Sequence, residues 1–256
     1  MNARPEARAA TGTVTDREVL GDHLIRVTIA ADGGFTSTGV PDEWVALTVP
    51  GQFQTRYYTV RSHTADSLVL DIVIHDEGLV TRWAQTDCVG DVVGLSAPKG
   101  SFELPADAAW VVLVGDLTGL PAIARIGEST SLPVTAYVET PDHPLDGYTD
   151  LPITWVDAPG AEQSGLADLV RGLDWPAGTG YFWMAGESAQ MREIRRHVRH
   201  DVGMPSTGYD VMGYWSASRG RQRRAVDPGP IYAAGKAAGK TDGQIWDDYD
   251  KARGDA

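Results

Sequence analysis

The pattern of the chain changes near residue 105, and this change limits the folds that the chain can adopt. Before it, six short segments are rich in β-branched residues and are bounded by Gly, Pro or Asp, as strands are. Six strands at such spacing predict a closed antiparallel β-barrel. The predicted strands cover residues 12–15, 24–29, 44–49, 56–61, 67–74 and 91–95.

After Pro105, strand patterns alternate with helix patterns. Such alternation predicts a doubly wound α/β domain built on a parallel sheet. The predicted strands are 110–114, 134–138, 153–156 and 181–185, and the predicted helices are 121–128, 163–173 and 188–199. We therefore predict a barrel domain over residues 1–105, an α/β domain over 106–215, and a tail over 216–256 with a possible short helix at 242–252.

The charge and composition of the chain exclude several classes of function. The formal net charge is -13, which argues against broad binding to nucleic acid or to an anionic membrane. The apolar run 108–114 is too short for membrane insertion, and the N-terminus lacks an apolar signal core, so a cytoplasmic protein is expected. The single cysteine, Cys88, rules out an internal disulfide. The oligomeric state cannot be inferred from the sequence.

The predicted strand at residues 56–61 carries a cation, aromatic rings and a hydroxyl. Because side chains alternate along a strand, Arg56 and Tyr58 share one face, and Tyr57 and Thr59 share the other. A guanidinium can bind a phosphate, a phenol ring can cover an isoalloxazine, and a hydroxyl can bond a ring nitrogen. This combination suits a flavin, although six such residues alone also fit an ordinary exposed strand.

A second segment, residues 75–83, contains a glycine where a helix is expected to begin. The first amides of a helix lack internal partners and can bind an anion, such as a pyrophosphate. The residues proposed for this cradle are Gly78, Val80 and Thr81. The alternative is a plain turn at Gly78 with Thr81 as a helix cap.

No metal site is expected in this chain. His75 and the two acidic residues that follow it are adjacent on an extended segment, so their side chains cannot converge on one ion. His197 and His200 lie three residues apart on a predicted helix, but no third ligand is evident.

Two further segments lie where a predicted strand ends and a helix begins. In an open α/β sheet, ligands bind in the crevice at such strand ends. Asp116 and Thr118 follow one strand, and Gly186 and Glu187 follow another. The usual G-x-G-x-x-G fingerprint is absent, and plain strand-to-helix turns are the alternative.

In this order, the segments resemble the siderophore-interacting protein family, the ferric-siderophore reductases related to ferredoxin-NADP reductases. The resemblance covers about residues 24–215. Its markers are R-x-Y-T-x-R at 56–61, the segment 75–83, G-D-x-T-x-L-P-A at 115–122, A-G-E at 185–187 and G-Y-W at 213–215.

The resemblance implies that FAD is the cofactor and assigns residues to it. Arg56 would hold an FAD phosphate, Tyr58 would stack on the isoalloxazine, and Thr59 would lie near flavin N5. Asp116 and Thr118 would line the nicotinamide side of the cleft. The other cofactor-binding residues would be Tyr57, His75, Gly78, Leu79, Val80, Thr81, Gly186, Glu187, Tyr214 and Trp215.

The resemblance also implies a reaction. NAD(P)H would pass a hydride to FAD, which would reduce Fe(III) in a small-molecule ferric siderophore, with no side-chain nucleophile. Glu139 ends a predicted strand and could accept a ribose hydroxyl, which slightly favours NADH over NADPH. The cations that could dock an anionic siderophore are Lys99, the arginines of 219–224, Lys236 and Lys240.

The chain departs from the family pattern at four positions: Leu79, Leu117, Gly119 and Ser216. These departures leave open two other functions. One is a flavin reductase of the same fold that serves another acceptor. The other is a flavin-binding module without catalysis.

Overall fold

A computed structural model describes residues 10–52, 55–75, 78–160 and 163–216, together with residues 234 and 238. The elements named below all lie in one compact unit that ends at residue 216. The strands are β1 (Ala10–Gly21), β2 (Leu24–Ala31), β3 (Trp44–Thr48), β4 (Arg56–His63), β5 (Ser67–Val73), β6 (Val92–Leu95), β7 (Val111–Asp116), β8 (Val134–Thr140), β9 (Ile153–Asp157), β10 (Tyr181–Glu187) and β11 (Tyr209–Trp215). The helices are α1 (Leu79–Gln85), α2 (Leu120–Ser129), α3 (Leu166–Arg171) and α4 (Met191–His200).

The first six strands form a closed antiparallel barrel in the order β1-β2-β5-β4-β3-β6. This confirms the predicted barrel. Its interior is apolar: Val60 of β4 pairs with Leu70 of β5, and both side chains are fully buried. β1 is longer than predicted because it pairs with β2 along most of its length and with β6 at its start.

The second layer is a five-stranded parallel sheet in the order β11-β10-β7-β8-β9. All six residues of its central strand, β7, are buried. α2 packs in the apolar cluster on one side of the sheet, whereas α3 and α4 pack in the cluster on the other. The predicted doubly wound parallel sheet is therefore confirmed.

The α/β domain differs from the prediction in one strand and one helix. β11 was not predicted as a strand, because Asp210 and Gly213 interrupt its apolar residues at the edge of the sheet. The predicted helix at 163–173 is only six residues long, between Gly165 and Gly172. Glycine disfavours the interior of a helix, which explains both ends.

The barrel and the sheet share an apolar interface. Leu24 of β2 is fully buried in the same cluster as Leu120 and Ile123 of α2. No helix among the described residues combines the length and hydrophobicity needed to cross a membrane. The proposed tail helix and the docking cations at 219–224, Lys236 and Lys240 lie outside the described residues.

Candidate functional site

β4 presents different side chains to the barrel interior and to the sheet. Tyr58 and Val60 pack with the barrel core, whereas the Arg61 guanidinium reaches Glu128 on α2. Tyr58 and Thr59 are adjacent in the part of β4 that pairs regularly with β3, so they lie on opposite faces of the strand, as the alternation predicts. Tyr57, which shares a face of β4 with Thr59, is 68% exposed. The strand thus offers one free aromatic ring and one ring packed on the core.

Two hydroxyl groups meet, without good hydrogen bonds, where β4 faces the sheet. Thr59 is 5% exposed, and its Oγ1 has no hydrogen-bond partner among the described residues; the same is true of the Tyr214 hydroxyl. Burial raises the pKa of Tyr214, and the neighbouring Thr59 hydroxyl lowers it, so the two hydroxyls lie next to each other. Buried polar groups normally have partners, so this pair indicates a place for a polar ligand.

Tyr214 connects this hydroxyl pair to the strand ends of the sheet. Its ring stands edge-on to the fully buried Trp183, with the ring centroids 6.3 Å apart. The charge of Asp116 also acts on the Tyr214 hydroxyl. Tyr214 therefore lies beside Thr59 of β4 and one residue before Trp215, which binds Asp116.

Asp116 holds the crevice together. Its Oδ1 accepts hydrogen bonds from the Thr118 amide at 2.8 Å and the Thr118 hydroxyl at 2.5 Å. Its Oδ2 accepts one from the indole Nε1 of Trp215 at 2.6 Å. Burial raises the pKa of Asp116, and these hydrogen bonds oppose that rise. Asp116 thus fixes the loop after β7 to the end of β11.

Glycines let the two walls of the crevice touch. A Cβ on Gly115 would lie 2.9 Å from the Ala185 carbonyl oxygen, and one on Gly119 would lie 3.1 Å from the same oxygen. A Cβ on Gly186 would lie 3.0 Å from Asp116 Oδ2. Two of the departures from the family pattern are therefore packing features: Gly119 permits close contact, and Leu117, 3% exposed, belongs to the apolar cluster around α2.

Two acidic residues at the strand ends are buried and already hydrogen-bonded. Glu187 is 4% exposed, and its Oε2 accepts from the Ala189 amide at 2.6 Å. Glu139 is 3% exposed, and its Oε1 accepts from the Gly165 amide at 2.6 Å. Burial raises the Glu139 pKa. The predicted contact of Glu139 with a ribose needs a more accessible carboxylate than this structure has.

α1 begins at Leu79, in the segment for which an anion cradle was predicted. Gly78 precedes the helix with φ of 142°, and no side chain in the described residues caps the helix. Thr81 is 3% exposed and does not act as the cap. A Cβ on Gly78 would lie 2.9 Å from the His75 ring, so the loop requires glycine. The first amides of α1 lack acceptors within the helix and can bind phosphate oxygens.

Solved structures of known proteins share this arrangement of barrel and sheet. A cytochrome P450 reductase from Amycolatopsis matches with a TM-score of 0.62 at 22% identity, over 82% of this chain and 71% of that one. A siderophore utilization protein from T. fusca matches with a TM-score of 0.70 at 25% identity, over 88% of this chain and 97% of that one. The fold is that of reductases with an FAD-binding barrel and a nicotinamide-binding domain.

Family models identify the chain more narrowly. Residues 17–102 match the siderophore-interacting FAD-binding domain, and residues 108–218 match the siderophore-interacting protein model. The chain belongs to the siderophore-interacting protein family.

Curated relatives agree with this family. The chain is 31% identical to ferric vibriobactin reductase ViuB of Vibrio cholerae, over 66% of each protein. It is 27% identical to the NADPH-dependent ferric-chelate reductase of Escherichia coli, over 73% of this chain and 76% of that protein. It is also 27% identical to the mycobactin import protein IrtA of Mycobacterium tuberculosis, over 87% of this chain but only 28% of the longer protein.

Proposed function

We propose that the protein is an FAD-dependent reductase that takes a hydride from NAD(P)H and reduces Fe(III) held by a small-molecule siderophore. The observation that carries this proposal is the pair of neighbouring buried hydroxyls on Thr59 and Tyr214, for which the described residues supply no well-formed hydrogen bond. The named reductase relatives support the choice of ferric substrate.

The residues present fit FAD. Arg56 is exposed at the start of β4, where its guanidinium would reach a phosphate, and the α1 amides after Gly78 would bind the pyrophosphate. Tyr58 would cover the ring, and the Thr59 hydroxyl would bond its edge near N5. When bound, the flavin supplies the conversion of a two-electron hydride into the single electrons that Fe(III) accepts.

The chain itself contributes alignment and the exclusion of water. Asp116 holds Trp215, so the end of β11 stays beside the loop after β7. Gly115 and Gly186 let the two walls of the crevice pack closely against each other. We propose that Thr118 and Glu187 line this crevice and that Tyr214 closes it over the flavin region.

The choice between NADH and NADPH stays a prediction. The slight preference for NADH depended on Glu139, whose carboxylate is buried against Gly165. Comparing the apparent dissociation constants of NADH and NADPH, in the wild type and in Glu139→Gln, tests it. If Glu139 contacts the ribose, the substitution weakens NADH alone.

The siderophore and its docking surface are likewise proposals. Lys99 is exposed, and its backbone pairs with Trp44 beside the barrel. We propose that it contacts an anionic siderophore. The cytoplasmic location also stays a prediction from the sequence.

A steady-state assay tests the proposed function. Purified FAD-loaded protein is mixed with NADH or NADPH, a panel of ferric siderophores and ferrozine, which traps Fe(II). We expect Fe(II) to form only when protein, nicotinamide and ferric siderophore are all present. Flavin reduction without Fe(II) would favour another acceptor, and no flavin reduction by either nucleotide would favour a binding module without catalysis.

A further inference from the structure

α2 carries two opposite charges, three residues apart, that both contact the barrel. Arg125 donates from Nη1 to the Val60 carbonyl at 2.7 Å and from Nη2 to Glu43 Oε1 at 3.1 Å. Glu43 is fully buried, and hydrogen bonds from its neighbours together with Arg125 lower its pKa despite that burial. Residues three apart share one face of a helix, so one face of α2 docks on β4.

Arg61 forms the other half of this contact. Its Nη1 and Nη2 donate to the two carboxylate oxygens of Glu128 at 3.0 and 2.7 Å, and Nη2 also donates to the Tyr148 carbonyl at 3.1 Å. The Arg61 side chain is only 14% exposed. A planar guanidinium that binds both oxygens of a carboxylate fixes orientation as well as distance.

Tyr148 reinforces the contact from the loop between β8 and β9. Two guanidinium groups contact its ring, with Arg61 5.1 Å and Arg26 5.3 Å from the ring centroid. Its hydroxyl donates to Asp71 Oδ2 at 2.5 Å, and Arg26 donates to both oxygens of the same carboxylate. The sheet is thus held to strands β2, β4 and β5 by one connected network.

The position of this network relates the two halves of the proposed site. Thr59 and Arg61 lie two residues apart on β4, and the pairing of β4 with β5 is irregular between Val60 and Ser62, so Arg61 lies at a β-bulge next to the flavin strand residues. At its other end, α2 begins at Leu120, directly after the short crevice loop that follows Asp116 and contains Thr118. An α-helix is a rigid spacer, so a contact that fixes α2 on β4 also fixes the crevice loop relative to Thr59.

We propose that Arg61 is a positioning residue: by binding Glu128 it sets the spacing between the flavin strand and the nicotinamide crevice. This rests on the proposed function. Although Arg61 ends the R-x-Y-T-x-R motif, its terminal nitrogens are engaged by Glu128 and Tyr148 and do not serve as phosphate donors. A small misplacement of reacting groups lowers the rate of transfer more than it lowers binding.

Two conservative variants test this by different routes. Arg61→Lys keeps the positive charge but loses the bidentate contact with the carboxylate. Glu128→Gln keeps the shape of the side chain but loses its negative charge. We expect both to retain FAD to within about twofold while the limiting rate of flavin reduction at saturating NAD(P)H falls about tenfold or more. The double variant should be no slower than the slower single variant, because one shared contact is removed.

Arg171→Lys is the matched control. Arg171 also contacts carboxylates, Asp168 at 2.7 Å and Glu193 at 3.0 Å, but on α3 and α4 and with a 40% exposed side chain. We expect it to leave the limiting rate unchanged. Loss of FAD in Arg61→Lys, or an unchanged limiting rate in both test variants, would overturn the proposal.

Amide hydrogen exchange separates this proposal from the proposed function. In protein without nicotinamide, Arg61→Lys and Glu128→Gln should raise the exchange of α2 amides, with α4 unchanged. If the wild type is not reduced by NADH or NADPH, the proposed function fails. The exchange of α2 still decides whether Arg61 fixes the helix, and equal exchange in variant and wild type would refute that role.

Discussion

Asp116 and Trp215, 99 residues apart in the sequence, are joined by a hydrogen bond of 2.6 Å from the indole Nε1 to a buried carboxylate oxygen. The bond ties the loop after the central strand to the end of the edge strand. It explains how a short G-Y-W motif near the end of the sheet can shape a crevice built around β7. Its loss should therefore affect both stability and nicotinamide binding.

Trp215→Phe removes the indole donor and leaves the Asp116 Oδ2 without this partner. We expect the free energy of unfolding to fall by about 1 to 3 kcal/mol, the usual cost of an unsatisfied buried group. Urea denaturation measures this change, and a nicotinamide titration should show weaker binding. Trp110→Phe is the control, since it removes an indole bond to the Ala177 carbonyl away from the crevice. Equal nicotinamide affinity in both variants would refute the role of Trp215.

Thr59→Val should have opposite effects on stability and on FAD binding. The Thr59 Oγ1 is buried and has no well-formed hydrogen bond to any described residue, so an isosteric methyl group removes an unsatisfied polar atom. Protein without FAD should be as stable as wild type or more stable, by urea denaturation, while its affinity for FAD falls about threefold to tenfold, the loss of about one hydrogen bond. Thr59→Ser keeps the hydroxyl and should retain the affinity. Unchanged FAD affinity in Thr59→Val would show that the hydroxyl does not contact the flavin.

The two adjacent tyrosines of β4 should differ in their effect on flavin fluorescence. Tyr58 packs on the barrel core, whereas Tyr57 is 68% exposed. If Tyr58 stacks on the isoalloxazine, Tyr58→Leu raises the fluorescence of bound FAD severalfold because an aromatic neighbour no longer quenches it. Tyr57→Leu is then close to wild type. The reverse result would assign the stacking role to the exposed ring of Tyr57.

Ser101 lies between two carboxylates, which leads to a prediction about pH. The Ser101 hydroxyl is 2.7 Å from Asp42 Oδ2 and 2.9 Å from Asp210 Oδ2, and a hydroxyl has one hydrogen to donate. Burial and the Asp42 charge raise the pKa of Asp210, while Ser101 and Arg195 lower it. A protonated Asp210 can donate to Ser101, which then donates to Asp42.

The sign of the effect follows from this raised pKa. The folded state binds the Asp210 proton more tightly than the unfolded state does. The protonated group therefore makes its full contribution to the free energy of unfolding at pH values below its ordinary pKa. That contribution is lost as the pH rises through the raised, folded-state pKa. Asp210→Asn should therefore match wild type at low pH and be the more stable protein near neutrality. Urea denaturation across this pH range measures the difference, and a constant difference at every pH would contradict the assignment.

Local patterns were sufficient to predict the barrel and most of the sheet. Alternating residues mark strands such as β2, and the apolar run of β7 marks a strand buried on both faces. β11 was not predicted because an edge strand needs no continuous run of apolar residues. Asp210 and Gly213 also interrupt the pattern of apolar residues along it. Edge strands bury less surface, so their sequences carry less of the strand signal.

The contacts that hold the site together could not be predicted in the same way. Asp116 and Thr118 are close in sequence, and both lie where a predicted strand ends, which is where ligands bind in an open α/β sheet. Trp215 binds Asp116, and Glu128 binds Arg61. The residues of each pair are far apart in the sequence, so no local spacing predicts these contacts. The buried position of Glu139 is also a tertiary effect, since it depends on the Gly165 amide at the start of α3.

A single-turnover experiment tests the central claim most directly. FAD-loaded protein is reduced with one equivalent of NAD(P)H under anaerobic conditions and then mixed with a ferric siderophore and ferrozine. The account predicts that the absorbance of oxidised flavin returns while about two Fe(II) are trapped per flavin, since the hydride carries two electrons and each Fe(III) accepts one. A flavin that stays reduced, with no Fe(II) trapped from any ferric siderophore, would contradict it.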